Sequence, residues 1–259
     1  MKKLVTAFAA CALAGLAFAQ VESVNIVGYT TKDTPNNVNM IVGVSFVDVG
    51  ETGINLQSIK MSDDVAADGG VRIWWWVDGV GYSEAYWVEL YDELGNATGV
   101  NGWGDFLNWE AVPEKIFAAG DGFWINSLTG GKMITSGELV TTSGATQYIG
   151  VDTPNNVNMH VTSPLPIGDF NIQSIKMSND VLPDGGVRIW WWVDGVGYSE
   201  AYWVELYDAQ GAPTGVNGWG DFLNWEAVPA KIFAAGEGFW INSLTGGQVL
   251  FTNPFYVAD

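Results

Sequence analysis

The sequence has little of what most catalytic and metal-binding sites need. Among 259 residues there is one cysteine, Cys11, and one histidine, His160. A nucleophilic triad needs a base, and a zinc site needs several Cys or His ligands. Phosphate-binding loops and dinucleotide fingerprints are missing too, because the glycines of "GVNGWGD" do not separate a strand from a helix. These absences predict a protein that is not an enzyme and has no cofactor or metal ligand set.

Basic residues are also scarce. The chain has 10 Lys and Arg against 29 Asp and Glu, a formal net charge of −19 at pH 7. Such a charge repels nucleic acids and anionic membranes and disfavours polyanionic ligands. It is compatible with calcium, although no segment matches a calcium loop of alternating oxygen ligands closed by a glutamate.

A long apolar run is present only at the start. Lys2 and Lys3 precede the apolar residues 4–16, and Ala17-Phe18-Ala19 is typical of a signal-peptidase site. We therefore predict a signal peptide at 1–19 and a secreted, extracellular or cell-surface protein without a membrane span. A lipid anchor on Cys11 is the alternative. Cleavage after Ala19 leaves no cysteine, so the hydrophobic core must stabilise the fold without disulfides.

The rest of the chain is a duplication. "DTPNNVNM" at 33–40 recurs at 152–159, and residues 58–131 recur at 174–247 with nine differences in 74 positions. The duplication predicts β domains at 24–140 and 147–259, joined by a linker at 141–146. The strand-like runs are short, rich in β-branched and aromatic residues and separated by Gly, Asn, Asp or Pro. Each unit is therefore predicted to be all-β, an antiparallel β-sandwich or a partly open barrel of six to eight strands.

The segment "VRIWWWVDGVGYSEAYWVEL" at 71–90, repeated at 187–206, predicts a hairpin. Asp78-Gly79 favours a two-residue type I′ turn, which places Val77 opposite Val80 and Trp74 opposite Ser83. Side chains alternate between the faces of a sheet. The first face is predicted to be core and carries Val71, Ile73, Trp75, Val77, Val80, Tyr82, Glu84 and Tyr86. The second face carries Arg72, Trp74, Trp76, Gly81, Ser83, Ala85 and Trp87.

Two interpretations of the second face stay open. It is either a platform on which sugar rings stack, or a surface covered by other segments such as "GFWINSL" at 122–128. The platform interpretation predicts a ligand-binding set in both copies: Arg72, Trp74, Trp76, Ser83 and Trp87, with Arg188, Trp190, Trp192, Ser199 and Trp203.

Acidic residues provide two further candidates. The Gly- and Asn-rich segment at 92–113 is predicted to be a long loop, with Asp92, Glu93, Asp105 and Glu110 as candidate cation ligands. Glu84, predicted on the apolar face, is the best candidate for one carboxylate of a glycosidase pair, with Glu89 or Glu110 as its partner.

The order of motifs resembles a repeated module of exported bacterial proteins. "VNMIVGVSF", a Trp/Tyr hairpin, "FAAGDGFWINSL" and "GKMITSGEL" are similar to modules that run "WNLIS-x-P", a Tyr/Trp hairpin and "G-x-GYW-[IV]". The opening "VNIVGYTT" is similar to that of largely uncharacterised secreted proteins with such units. The chain departs from the pattern at Asn39-Met40-Ile41, which replaces Trp-Asn-Leu. The resemblance implies an exported β module without known catalysis and transfers no site residues.

Together these features predict a secreted, non-catalytic binding protein. Its predicted partner is a polysaccharide, bound with avidity through one Trp platform per copy, or a surface protein. The alternatives are a coat or matrix protein that assembles through its aromatic faces and a small glycoside hydrolase.

Overall fold

A computed structural model describes residues 27–139, 147–166, 168–193 and 195–254. In these ranges the chain forms antiparallel strands and two short 3-10 turns, Leu56–Ser58 and Ile172–Ser174, and no α-helix. The all-β prediction is confirmed. The predicted signal peptide and the linker lie outside the described residues.

The described part of the first copy has eleven strands. They are β1 (Val27–Asp33), β2 (Met40–Gly43), β3 (Phe46–Val47), β4 (Gly53–Asn55), β5 (Lys60–Met61), β6 (Asp68–Val77), β7 (Gly81–Tyr91), β8 (Ala97–Gly104), β9 (Ile116–Ala118), β10 (Gly122–Ser127) and β11 (Lys132–Leu139). The prediction of six to eight was too low because several strands have only two or three residues.

The described part of the second copy repeats this series without a counterpart of β3. Its strands are β12 (Tyr148–Asp152), β13 (Met159–Val161), β14 (Phe170–Asn171), β15 (Lys176–Met177), β16 (Asp184–Val193), β17 (Gly197–Tyr207), β18 (Pro213–Gly220), β19 (Ile232–Phe233), β20 (Phe239–Ser243) and β21 (Gln248–Thr252).

Both copies build the same arrangement of sheets, except that the sheet around β21 lacks the strand that β3 adds to the sheet around β11. The largest has five strands, in the order β2-β10-β6-β7-β8 in the first copy and β13-β20-β16-β17-β18 in the second. Beside it lie a sheet around β11 or β21 and a two-stranded sheet, β4-β9 or β14-β19. Each copy has its own hydrophobic cluster, to which all three sheets contribute. In the first copy this cluster includes Val71, Ile73 and Trp75 from β6, Phe123 and Ile125 from β10, and Met61, Met133, Ile54 and Phe117 from the smaller sheets.

The predicted hairpin is present, but its register differs by one residue. Val77 pairs with Gly81, Trp75 with Ser83 and Trp74 with Glu84. The loop therefore has three residues, 78–80, and the backbone N–H of Val80 donates to the carbonyl of Val77 at 3.1 Å.

Two glycines explain the longer loop. A type I′ turn would need positive φ at Asp78, whereas in the actual loop Gly79 (φ 72°) and Gly81 (φ 109°) have positive φ and Asp78 does not. The equivalent Gly195 and Gly197 have φ 73° and 105°.

A shift of one residue moves every side chain of β7 to the other face of the sheet. Tyr82, Glu84 and Tyr86 therefore lie opposite the core, on the face of Arg72, Trp74 and Trp76. The core face receives Gly81, Ser83, Ala85 and Trp87 instead. The predicted faces were right for β6 and wrong for β7.

The two copies contact each other at equivalent positions. Val42 forms an antiparallel bridge with Glu237, and Asp121 forms one with Val161. Val42 corresponds to Val161 in the repeat and Asp121 corresponds to Glu237, so the contact has approximate two-fold symmetry.

Backbone hydrogen bonds follow the same symmetry. Gly43 N–H donates to the carbonyl of Gly236 at 3.3 Å, and Thr162 N–H donates to that of Gly120 at 2.9 Å. The side chains break the symmetry, because Gly43 corresponds to Thr162. A Cβ on Gly43 would overlap with Cγ2 of Thr162, so the glycine leaves the space that the threonine fills.

Candidate functional site: an aromatic cleft between the copies

The candidate site lies on the outer face of each five-stranded sheet, meaning the face opposite its hydrophobic cluster. On β6 this face carries Arg72, Trp74 and Trp76, and on β7 it carries Tyr82 and Glu84. Trp76 is 38% exposed and Tyr82 48% exposed, and their rings meet edge to face at 5.2 Å. The sequence therefore places large aromatic rings where solvent reaches them.

A second strand adds a tryptophan to each outer face. Trp124 on β10 pairs with Trp74 on β6, and the two rings stack at 5.8 Å between centroids with an interplanar angle of 8°. Trp240 and Trp190 stack in the same way at 5.6 Å and 4°. "GFWINSL" does not cover the Trp-rich face in the way that the second interpretation predicted, because most of it forms β10, the neighbour of β6 in the same sheet. Its Trp124 extends the outer face, and Trp74 and Trp190 remain half-buried.

Polar groups lie beside the stacked rings. The Arg72 guanidinium lies over the Trp74 ring at 4.8 Å and forms an ion pair with Glu84, which accepts a hydrogen bond from the Tyr86 hydroxyl at 3.1 Å. In the second copy Arg188 repeats these contacts with Trp190 and Glu200. Both ionic partners are more than two-fifths exposed, so the pair contributes at most about 1 kcal/mol to stability and remains available to a ligand.

Glu84 is therefore not a buried acid. The prediction that it lies on the apolar face was wrong, because the register shift moves it to the outer face beside Arg72.

The outer faces of the two copies meet and enclose a cleft of about 260 Å³. Its lining comes from both copies: Asn39, Trp74, Tyr82 and Trp124 from the first, and Trp192 and Tyr198 from the second. Trp192 and Tyr198 are 43% and 55% exposed. Burial raises the pKa of the Tyr82 hydroxyl, which keeps it protonated at neutral pH. The cleft thus offers aromatic surface together with neutral hydrogen-bonding groups.

The deepest part of the contact between the copies is aromatic. Ile41, Trp124 and Trp240 form a buried cluster to which Trp74 and Trp190 are packed. His160 lies beside it on β13, 4% exposed, with its ring centroid 3.8 Å from that of Trp240 and 5.9 Å from that of Trp124.

The ten predicted ligand-binding residues fall into two groups. Six lie on the outer faces: Arg72, Trp74, Trp76, Arg188, Trp190 and Trp192. The other four, Ser83, Trp87, Ser199 and Trp203, lie on the core faces, and their predicted placement was wrong. Trp87 is 4% exposed and packs against Trp103 at 5.4 Å between ring centroids.

Sequence reasoning missed most of the residues that line the cleft. Tyr82 and Tyr198 were assigned to the core by the wrong register, and Trp124 was considered only as a cover. The sequence contains one signal for this part of the cleft: alternation along "GFWINS" places Asn126 on the same face as Trp124. The Asn126 amide donates to Oδ1 of Asn39, which lines the cleft, at 2.9 Å.

The segment at 92–113 is not one long loop, because it contains β8. Two of its four candidate acids accept hydrogen bonds from nearby backbone N–H groups in turns. Asp92 Oδ1 accepts from the N–H of Leu94 and of Asn96, and Asp105 Oδ1 accepts from the N–H of Leu107. Within the described ranges, no group of three or more His, Cys, Asp or Glu side chains is placed to hold a metal ion.

Comparisons with known proteins add no relative. No protein-family model, curated protein or solved structure matches the chain. The resemblance to exported bacterial modules therefore stays a prediction. In the part of the chain that the structure describes, no helix is long and apolar enough to cross a membrane.

Proposed function

We propose that the chain is an exported, non-catalytic protein that binds a neutral polysaccharide in the cleft between its two copies. One observation carries the proposal: Trp74, Tyr82 and Trp124 of one copy and Trp192 and Tyr198 of the other line a single cavity of about 260 Å³. Exposed apolar surface of this kind usually marks an interaction site. In this proposal each copy is a separate β domain, a sandwich or a partly open barrel, in which the five-stranded sheet packs against two smaller sheets.

Pyranose rings suit such a lining. Their C–H faces are apolar and pack on aromatic rings, while their hydroxyl groups need donors and acceptors at the rim. Asn39 and the Arg72–Glu84 pair lie on the same outer face and supply both. The net charge of −19 disfavours a polyanionic polymer, so the proposed ligand is uncharged.

The shared cleft changes the expected binding mode. Two separate platforms on a linker would bind with avidity, but here the outer faces of the two copies meet. We therefore expect one polysaccharide segment to contact both copies at once.

The test is native affinity electrophoresis of residues 20–259 through gels that contain neutral polymers (hydroxyethyl cellulose, xyloglucan and galactomannan) or anionic alginate, with and without calcium. We expect retardation by at least one neutral polymer and none by alginate. Trp192→Ala combined with Tyr198→Ala should weaken binding at least about tenfold, or about 1.4 kcal/mol. Trp74→Ala should do the same from the other copy.

The control is Tyr29→Ala, which removes an aromatic ring that is 73% exposed and does not line the cleft. This variant should migrate like the wild type. Unchanged mobility of the wild type in every gel, or equal losses in Tyr29→Ala and the cleft variants, would contradict the proposal.

A coat or matrix protein is the second candidate, and the loop after β8 favours it. Phe106 and Leu107 are 64% and 86% exposed, and Phe222 and Leu223 repeat these values. An exposed pair of apolar side chains in the same loop of both copies suits protein–protein contacts. This function predicts assembly that increases with protein concentration, is lost in Leu107→Ser with Leu223→Ser and is indifferent to sugars.

A further inference from the structure

The contact between the copies is nearly symmetric in its backbone, but some of its titratable side chains have apolar counterparts. Lys32, which corresponds to Val151, donates to the carbonyl of Ala235 at 2.8 Å, whereas the second such residue, His160, is buried. His160 occupies the position of Ile41 in the repeat. Ile41 contributes to the apolar cluster between the copies, whereas His160 places an imidazole against it. The ring contacts both copies, since Trp240 belongs to its own copy and Trp124 and Tyr82 to the other.

The imidazole has no polar partner for its buried nitrogen. Nε2 of His160 finds no hydrogen-bond partner among the described residues, and the side chain is almost completely buried. An unpaired buried polar group is destabilising, and a buried cation without a counter-ion is far more so. The copies can therefore dock closely only while the imidazole is neutral.

Among the described residues, no carboxylate accepts a hydrogen bond from Nε2 of the imidazole, although two acids line the cavity beside it. From β7, Tyr82 faces the imidazole at 6.5 Å between ring centroids, and it is uncharged at neutral pH. Asp78, Lys115 and Asp121 line the adjoining cavity of about 210 Å³ with His160. Burial raises the pKa of Asp121, whose carboxylate accepts from the backbone N–H of Ala118 at 2.9 Å. Burial lowers the pKa of His160 from 6.5 to about 3.

We propose that His160 makes the aromatic cleft acid-sensitive: protonation of its imidazole separates the two copies, takes the cleft apart and releases the bound polysaccharide. The release step depends on the proposed function, but the separation of the copies does not. The cleft needs residues from both copies, so a separation of the copies that exposes His160 also moves Trp192 and Tyr198 away from Trp74 and Tyr82.

The sign of the effect follows from proton linkage. The docked state binds the proton with a pKa of about 3, and an exposed imidazole binds it near 6.5. The open state therefore holds more protons throughout this window. The equilibrium constant between the docked and the open state has its full value above about pH 6.5 and falls about tenfold per unit below it, or roughly 30-fold by pH 5.

The test compares residues 20–259 as the wild type and as His160→Ile, which restores the residue that the first copy has at this position. Small-angle scattering and tryptophan emission are measured from pH 8 to pH 4.5, with far-UV circular dichroism to detect unfolding. We expect the radius of gyration of the wild type to rise and its emission to shift to the red below pH 6, with the β signal retained. His160→Ile should remain compact over the same range.

The wild type also carries its own probe, because His160 is the only histidine of the chain. Its single imidazole resonance should not titrate between pH 8 and pH 6.5 and should then change together with the radius of gyration. A resonance that titrates near pH 6.5 in a protein of constant size would overturn the proposal. Equal acid expansion of the wild type and His160→Ile would overturn it as well.

Polysaccharide binding is scored separately in affinity gels at pH 7.5 and pH 5. Acid expansion with retardation only at pH 7.5 supports both proposals. Acid expansion without retardation at either pH supports the opening and rejects the polysaccharide. Retardation that is equal at the two pH values rejects the release.

Discussion

Two glycines in each hairpin loop determine which side chains reach the cleft. Gly79 and Gly81 have φ of 72° and 109°, and a Cβ added to either would meet no atom within 4 Å. Substitution there meets no steric overlap, so its effect comes from the backbone alone. Asparagine tolerates the left-handed region near φ 57°, but the φ of Gly81 lies well outside it.

We therefore expect Gly81→Ala to lower the free energy of unfolding by about 1–3 kcal/mol and Gly79→Asn to lower it by less than about 1 kcal/mol. Urea unfolding followed by tryptophan fluorescence measures both. Gly168→Ala is the control, because Gly168 has open space and no positive φ. A loss in Gly81→Ala no larger than in this control would mean that the loop accommodates another backbone conformation.

At the scale of elements, an amide side chain holds the outermost strand of each large sheet. Gln57 Nε2 donates to the carbonyl of Trp103 at 2.7 Å, and its Oε1 accepts from the N–H of Trp103 at 3.0 Å. Gln173 makes the same pair of bonds with Trp219. Both bonds are of the kind that the backbone of a neighbouring strand would make. They hold β8 and β18 in place at Trp103 and Trp219, whose indole rings are fully buried.

Gln57→Glu keeps the acceptor and removes the donor, which leaves the Trp103 carbonyl with its other donor, the backbone N–H of Val112 at 3.1 Å. We expect the free energy of unfolding to fall by about 0.5–1.5 kcal/mol, and Gln57→Leu, which removes both bonds, to lose at least as much. Chemical denaturation provides the values. Gln210→Glu, in an exposed turn, should change the stability by less than about 0.5 kcal/mol. Comparable losses at positions 57 and 210 would point to the added charge as the cause.

At the scale of the molecule, the contact between the copies suits unlike partners better than like ones. Thr162 fills the space beside Gly43, so two second copies would bring two threonine side chains into the same space, and two first copies would leave it empty. Overlap and cavities both destabilise an interface.

Residues 24–140 and 147–259, expressed separately, should therefore form a 1:1 complex when mixed, and residues 147–259 alone should stay monomeric. Sedimentation velocity at pH 7.5 distinguishes these states. Gly43→Val in the first fragment should abolish the complex because the new side chain overlaps with Thr162. A second fragment that dimerises as well as the mixture associates would show that the Gly43–Thr162 pair does not select the partner. Fragments that do not fold would contradict the predicted domain boundaries.

The sequence alone determined the local features. The duplication, the all-β class and the alternation along β6, which places Trp75 in the core and Trp74 and Trp76 on the outer face, follow from residue type and the two-residue period of a strand. Tertiary structure decided the features that depend on distant residues. The register of β7 depends on one loop residue, Val80, and on which face the core can cover. The burial of His160 depends on the contact with the five-stranded sheet of the first copy. That contact involves many residues that lie far apart in the chain. For the same reason, the cleft could not be predicted from either copy alone.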